Sequence, residues 1–110
     1  MEIMKQESGD IAILNLIGKL DINTTAPLEA KIQEVIDGGK SNIVMNLSDL
    51  DFIASSGLRV LLVAGKKLKT ASGKLVLCAL QDHVKEVFEI SGFTMLFSIY
   101  ATQNEAVGSF

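Results

Sequence analysis

Three short runs constrain the fold most: Ile11–Ile17, Asn42–Leu47 and Leu75–Leu80. In the first, Ala12, Leu14 and Leu16 point one way, and Ile11, Ile13, Asn15 and Ile17 the other. Apolar residues dominate both of its faces, and the same holds for Leu75–Leu80. Strands of that kind belong in the interior of a sheet. Between the runs lie segments with apolar residues at helical spacing. Strands joined through helices pair in parallel, with right-handed crossovers.

The rest of the chain fits around these runs. Met1–Glu7 reads as a short first strand, and Ser8-Gly9-Asp10 as the turn of an opening hairpin. After Gly18-Lys19-Leu20-Asp21, Thr24 and Thr25 offer helix N-caps and Pro27 fits a first turn. Leu28, Ile32, Val35 and Ile36 form that helix's apolar stripe, and Asp37-Gly38-Gly39 ends it. A second helix carries Leu58, Leu61, Leu62, Gly65 and Leu68 on one stripe, with Val60, Val63 and Ala64 off it. Its first two turns are apolar nearly all round, so it buries more than one face or offers one to a partner. Lys66, Lys67 and Lys69 gather near its end, where positive charge suits the dipole, and Ser72-Gly73 stops it. Asp82 caps a short helix bearing Val84, Val87 and Phe88. Phe97–Tyr100 reads as a last strand, and Thr102–Glu105 as a capping box opening a terminal helix. The predicted order is β-β-α-β-α-β-α-β-α: one α/β domain over residues 1–110, with a small mixed but largely parallel sheet. The expected core includes Ile13, Leu14, Val35, Ile43, Met45, Leu61, Leu62, Leu75, Leu77 and Phe88.

Composition narrows the function. A net charge of −3 argues against nucleic acid or an anionic membrane as the main partner. No apolar run approaches the roughly 20 residues of a membrane span, and the N-terminus has no signal-peptide segment. The one cysteine, Cys78, sits in an apolar strand and reads as core, which fits a reducing, cytoplasmic setting. The one histidine, His83, reads as a surface residue with no second histidine to share a metal. No cofactor or metal site is expected, and nothing demands more than a monomer.

The chemistry-bearing stretch is Asp51-Phe52-Ile53-Ala54-Ser55-Ser56-Gly57-Leu58-Arg59, where a strand-like run passes into the second helix. A helix start has free N–H groups and the positive end of the macrodipole. A serine there can cap the helix with its hydroxyl. Phosphorylated, it would carry its charge where a helix tolerates it best. A hydrolase nucleophile elbow needs a glycine two residues before its serine, where this chain has Ile53, and His83 is the one candidate base. No glycine-rich phosphate loop ending in lysine-serine/threonine is present. The reading is not an enzyme.

These residues resemble the STAS domain family, and within it the bacterial anti-sigma factor antagonists. Phe52-Ile53-Ala54-Ser55-Ser56-Gly57-Leu58 is similar to the family's phosphorylation loop. Gly18-Lys19-Leu20-Asp21 is similar to its glycine-x-leucine-aspartate before the first helix, and the element order matches along essentially the whole chain. The resemblance implies helices mainly on one face of the sheet. It implies a protein that binds an anti-sigma factor, itself a serine kinase of the GHKL ATPase type, and so releases a sigma factor. Ser55 falls on the phosphorylated serine; modification ends binding and a phosphatase restores it. Asp21 matches the family aspartate near that serine. The partner surface expected from the helix and its loops comprises Asp21, Ser56, Gly57, Arg59, Val60 and Val63. Where the family most often has aspartate before the serine, this chain has Ala54. The alternative is a STAS scaffold or ligand-binding subunit that works without phosphorylation.

Overall fold

A computed structural model describes all 110 residues, Met1–Phe110. Strands β1 (Glu2–Ser8) and β2 (Ile11–Leu20) form the opening antiparallel hairpin, turning at Gly9 in the left-handed region. Strands β3 (Asn42–Asn46), β5 (Lys74–Cys78) and β6 (Ser98–Tyr100) then add in parallel, giving the order β1-β2-β3-β5-β6. The doubly apolar runs β2 and β5 lie inside the sheet, as their composition demands.

One strand is absent from the predicted order. Strand β4 (Leu50–Ile53) pairs in parallel with the far end of β2. Its inward residues are Leu50 and Ile53, while Asp51 and Phe52 are exposed. That spacing has no period of two, so alternation does not reveal it. The pairing depends on Gly18. β2 pairs with β3 through Asn15, shifts register between Gly18 and Lys19, and pairs with β4 through Leu20. Gly18 sits at φ +109°, where a side chain is strained, and its N–H donates to the Asp49 carbonyl at 3.0 Å.

Helices α1 (Thr25–Asp37), α2 (Ser55–Thr70) and α3 (Asp82–Ile90) cover one face of the sheet. Leu28, Ile32 and Val35 of α1, and Val84 and Phe88 of α3, meet Leu14, Leu16, Met45 and Leu77 there. The other face carries a smaller cluster: Ile11, Ile13, Val44, Val76 and Cys78 under Ala106 of α4 (Gln103–Val107). Half of the expected capping box of α4 forms: Thr102 Oγ1 accepts from the Glu105 N–H at 3.2 Å, while the Glu105 carboxylate accepts from the Thr102 hydroxyl at 3.1 Å and not from its backbone N–H. Cys78 is fully buried, and burial pushes its thiol up to about 11.

Several local expectations need correction. The buried stripe of α2 is Gly57, Leu58, Leu61, Ala64 and Leu68. Leu62 and Gly65 lie at its edge, and Leu62 is only half-buried. Helix α3 is preceded by Gln81, so Asp82 is its first residue and not its cap. The last strand is shorter than Phe97–Tyr100, because Phe93–Leu96 forms a 3-10 turn ahead of it. At the end of α2 it is Ser72, at φ +64°, that turns the chain left-handed. Gly73 answers to a different demand: a Cβ there would meet the Ser41 carbonyl oxygen at 1.9 Å.

Candidate functional site

The site is built where β2 and β4 end side by side. Leu20 and Ile53 are register partners, so Asp21 and Ala54 emerge abreast. The Ala54 N–H donates to the Leu20 carbonyl at 2.9 Å, extending the pairing into the loop itself. Ala54 then turns in extended conformation, φ −93° and ψ 169°, and its carbonyl accepts the N–H groups of Gly57 and Leu58 at 2.9 and 3.1 Å. Helix α2 therefore starts at Ser55.

This geometry corrects the capping expectation. The N-cap is Ala54, whose side chain has no acceptor, and neither Ser55 nor Ser56 caps the helix. Ser55 is exposed and Ser56 half-buried. No acidic residue occupies the first turn of α2, so the positive end of the macrodipole is left uncompensated beside the Ser55 hydroxyl.

Opposite stands the turn that follows β2. The Asp21 N–H donates to Thr24 Oγ1 at 2.9 Å, and Asp21 Oδ1 accepts the Asn23 N–H at 2.9 Å. Thr24 Oγ1 in turn donates to the Lys19 carbonyl at 2.9 Å. The Asp21 carboxylate thus braces its own turn while staying half-buried at the rim of the site. Thr24 precedes α1 but spends its hydroxyl on this turn and not on a helix cap.

Gly57 is buried beneath both loops. A Cβ there would lie 2.8 Å from Leu20 Cγ and 3.0 Å from Ile53 Cγ1. Among the residues expected at a partner surface, Gly57 therefore offers no side chain; it lets α2 approach the strand ends. Arg59, Val60 and Val63 come together in a groove between α1 and α2, a cavity of about 250 Å³ shared with Glu29, Ile32 and Lys67. Val63 is 55% exposed. Lys67 Nζ donates to Gln33 Oε1 across the same groove. Asp21, Ser55 and Ser56 lie at the helix-start end and Val63 a turn or two further along.

Sequence reasoning missed Glu29 and Lys67, whose surface positions carry no signal of a groove. It also missed two exposed apolar side chains beside the site, Ile22 in the turn after β2 (74%) and Phe52 on β4 (46%). Their signal was available, since both are large apolar residues beside the quoted motifs. His83 is exposed as expected, yet its Nε2 lies 2.5 Å from the Asp51 carbonyl oxygen. Gln81 Nε2 donates to the Ser48 carbonyl at 2.9 Å, so the start of α3 braces β4 from the outside. No three His, Cys, Asp or Glu side chains converge as metal ligands, and no helix is long and apolar enough to cross a membrane.

Comparison with known proteins agrees with this architecture. The family model described as STAS domain matches residues 2–106. The sequence is 37% identical over 110 residues to BtrV of Bordetella bronchiseptica, named "putative anti-sigma factor antagonist", covering 100% of this chain and 95% of that one. It is 31% identical over 111 residues to the anti-sigma-B factor antagonist of Listeria monocytogenes, covering 99% and 95%. Among solved structures, the anti-sigma factor antagonist SpoIIAA in its unphosphorylated form superposes with a TM-score of 0.82 at 26% identity, covering 96% and 93%. The phosphorylated form of SpoIIAA from Bacillus superposes with a TM-score of 0.75 at 24% identity, covering 98% of each chain. The fold, the two loop motifs and these likenesses lead to one assignment: the chain is a regulatory, non-catalytic member of the STAS domain family, in the branch of the anti-sigma factor antagonists.

Proposed function

We propose that this chain is a cytoplasmic partner-switching protein whose unphosphorylated form binds an anti-sigma factor and whose switch is Ser55. The partner is an anti-sigma factor that is also a serine kinase of the GHKL ATPase type, and a phosphatase resets the switch. The observation that carries the reading is the placement of Ser55. It is exposed at the first position of α2, its hydroxyl is not used as a cap, and its loop is hydrogen-bonded to the strand end that presents Asp21.

The physics of the switch follows from that placement. A phosphate adds about −1.5 to −2 charges at neutral pH. The free N–H groups and dipole of α2 absorb part of this charge, so the fold survives. A docked partner has to desolvate the group, and an acidic or apolar contact surface is penalised by that and by repulsion. Asp21 adds to the negative field. The contact surface runs from Asp21 and Ser56 over the backbone at Gly57 to Arg59, Val60 and Val63. Arg59 is exposed at the start of the second turn of α2 and free to pair with a partner carboxylate.

The test is incubation with ATP and the cognate kinase, followed by mass mapping. Phosphate on Ser55, constitutive binding by Ser55→Ala and weakened binding by Ser55→Asp with a native spectrum are the expected results. Phosphate on Ser56 alone refutes the choice of serine. A second reading rests on Ala54, which leaves no acidic group before the acceptor: a STAS scaffold or ligand-binding subunit that acts without phosphorylation. A kinase active on another substrate that leaves both serines unmodified favours that reading.

A further inference from the structure

Helix α2 has a second groove on its other flank, and nothing in the proposed switch uses it. Val60, Val63 and Lys67 lie along one side of the helix. Leu62, Gly65, Lys66 and Lys69 lie along the other, about half a turn around. This second flank faces β5 and the 3-10 turn across a cavity of about 600 Å³. Leu62, Leu75, Leu96 and Phe97 give it an apolar lining, and Leu96 is 57% exposed. Lys66, Lys69 and Lys74 border it, no acidic residue lines it, and none of the three forms a salt bridge; the Lys74 ammonium is engaged by the Ser109 carbonyl at 3.3 Å and the Phe110 ring at 5.0 Å, which leaves Lys66 and Lys69 as the unpaired charges. In a chain of net charge −3, that is a local concentration of unpaired positive charge beside apolar surface.

Gly65 provides a separate observation. It lies deep inside α2, where glycine weakens a helix relative to alanine. Its φ is ordinary, and a Cβ would find its nearest neighbours, Leu75 Cβ and Cδ2, at a relaxed 4.0 Å. Neither backbone conformation nor packing requires glycine there. Its effect is to leave the wall of the groove open.

We propose that this groove is a second docking surface, and that its occupant is an acidic amphipathic peptide segment of a partner protein. Apolar side chains of the segment lie against Leu62, Leu75 and Phe97, and its carboxylates meet Lys66 and Lys69. Two exposed lysines beside an open apolar trough suit a chain with repeated carboxylates. They do not form the convergent set of donors that fixes a small anion. The surface is independent of Ser55, so it can be occupied whatever the state of the switch.

The probe is a labelled peptide of roughly four helical turns, leucine on one face and glutamate on the other, with a lysine-for-glutamate version as control. Saturable binding of the acidic peptide is expected, with amide shifts at Leu62, Gly65 and Leu96 on titration. Raising the ionic strength from about 0.05 to 0.5 M weakens it severalfold. Lys66→Glu combined with Lys69→Glu lowers affinity about tenfold or more. Gly65→Leu does the same by filling the groove, and Gly65→Ala melts no lower than the parent. Equal binding of the two peptides, shifts confined to Asp21–Arg59, or full affinity in the lysine double variant overturns the proposal. Should Gly65→Leu fail to fold, the double variant, with both changes at exposed positions, decides alone.

Discussion

Gly57 and Leu20 are packed so closely that a methyl group on Gly57 would lie 2.8 Å from Leu20 Cγ and 3.0 Å from the Leu20 carbonyl oxygen. The same carbonyl accepts the Ala54 N–H. The second motif's glycine is thus seated on the first motif's leucine, which is why the two stretches, over thirty residues apart, make one site.

Gly57→Ala tests this seat. The added methyl meets backbone as well as side chain, so relief requires α2 to move off the strand ends. Overpacking of this kind costs about 1–3 kcal/mol. Thermal melting of the variant is expected roughly 5–15 °C below the parent. Amide shifts should reach Asp21 and Ala54, and a variant that melts like the parent would show that the contact yields freely.

Val63→Glu tests the proposed partner surface without disturbing the fold. Val63 is 55% exposed on the α1–α2 groove, so its replacement should leave stability within about 0.5 kcal/mol. Partner binding, measured by titration calorimetry, is expected to fall at least about tenfold, because a carboxylate in an apolar contact must be desolvated. Unchanged affinity would move the contact surface elsewhere.

Phe88→Ala tests how far the site depends on α3. The ring is fully buried and packs edge-on against Phe97 at 5.6 Å between centroids. Truncation is expected to cost about 3–5 kcal/mol. Since α3 also braces β4 through Gln81 and His83, hydrogen exchange should rise at Asp51–Ile53 ahead of β5.

Cys78 sets a limit at high pH. Its folded pKa, about 11, lies above the ordinary 9.0. The unfolded chain therefore releases this proton first. The thiol's contribution is intact below pH 9.0 and is lost as pH rises towards about 11. Urea unfolding at both ends of that window should show a steeper loss for the parent than for Cys78→Ala, by about 2 kcal/mol. Equal slopes would mean the thiolate is tolerated in the core.

Much of this was legible in the residues. The interior strands announced themselves because β2 and β5 are apolar on both faces, and α1 because Leu28, Ile32 and Val35 keep helical spacing. What escaped was decided by partners distant in sequence. β4 exists because Gly18 redirects β2 towards it, and no property of Leu-Asp-Phe-Ile alone says so. The buried arc of α2 is fixed by which side meets Leu20 and Ile53. That replaces Leu62 and Gly65 with Ala64, a residue too small to stand out in a pattern. A serine at this helix start is a natural cap, but with the Ala54 N–H bonded to the Leu20 carbonyl the helix starts at Ser55 behind an Ala54 N-cap, and neither serine hydroxyl caps it.

The bulge at Gly18 has a consequence for the energetics of recognition. By carrying β3 along one half and β4 along the other, β2 holds the Asp21 turn and the Ser55 turn on a single rigid edge before any partner arrives. The ordering entropy of both loops is then settled in the folding step and drops out of the association constant. A partner meeting this surface gains contact energy with little loss of loop freedom. In the switch proposed at Ser55, an added charge has few ways to be accommodated by loop rearrangement, so the part that the helix start does not absorb bears on the proposed contact.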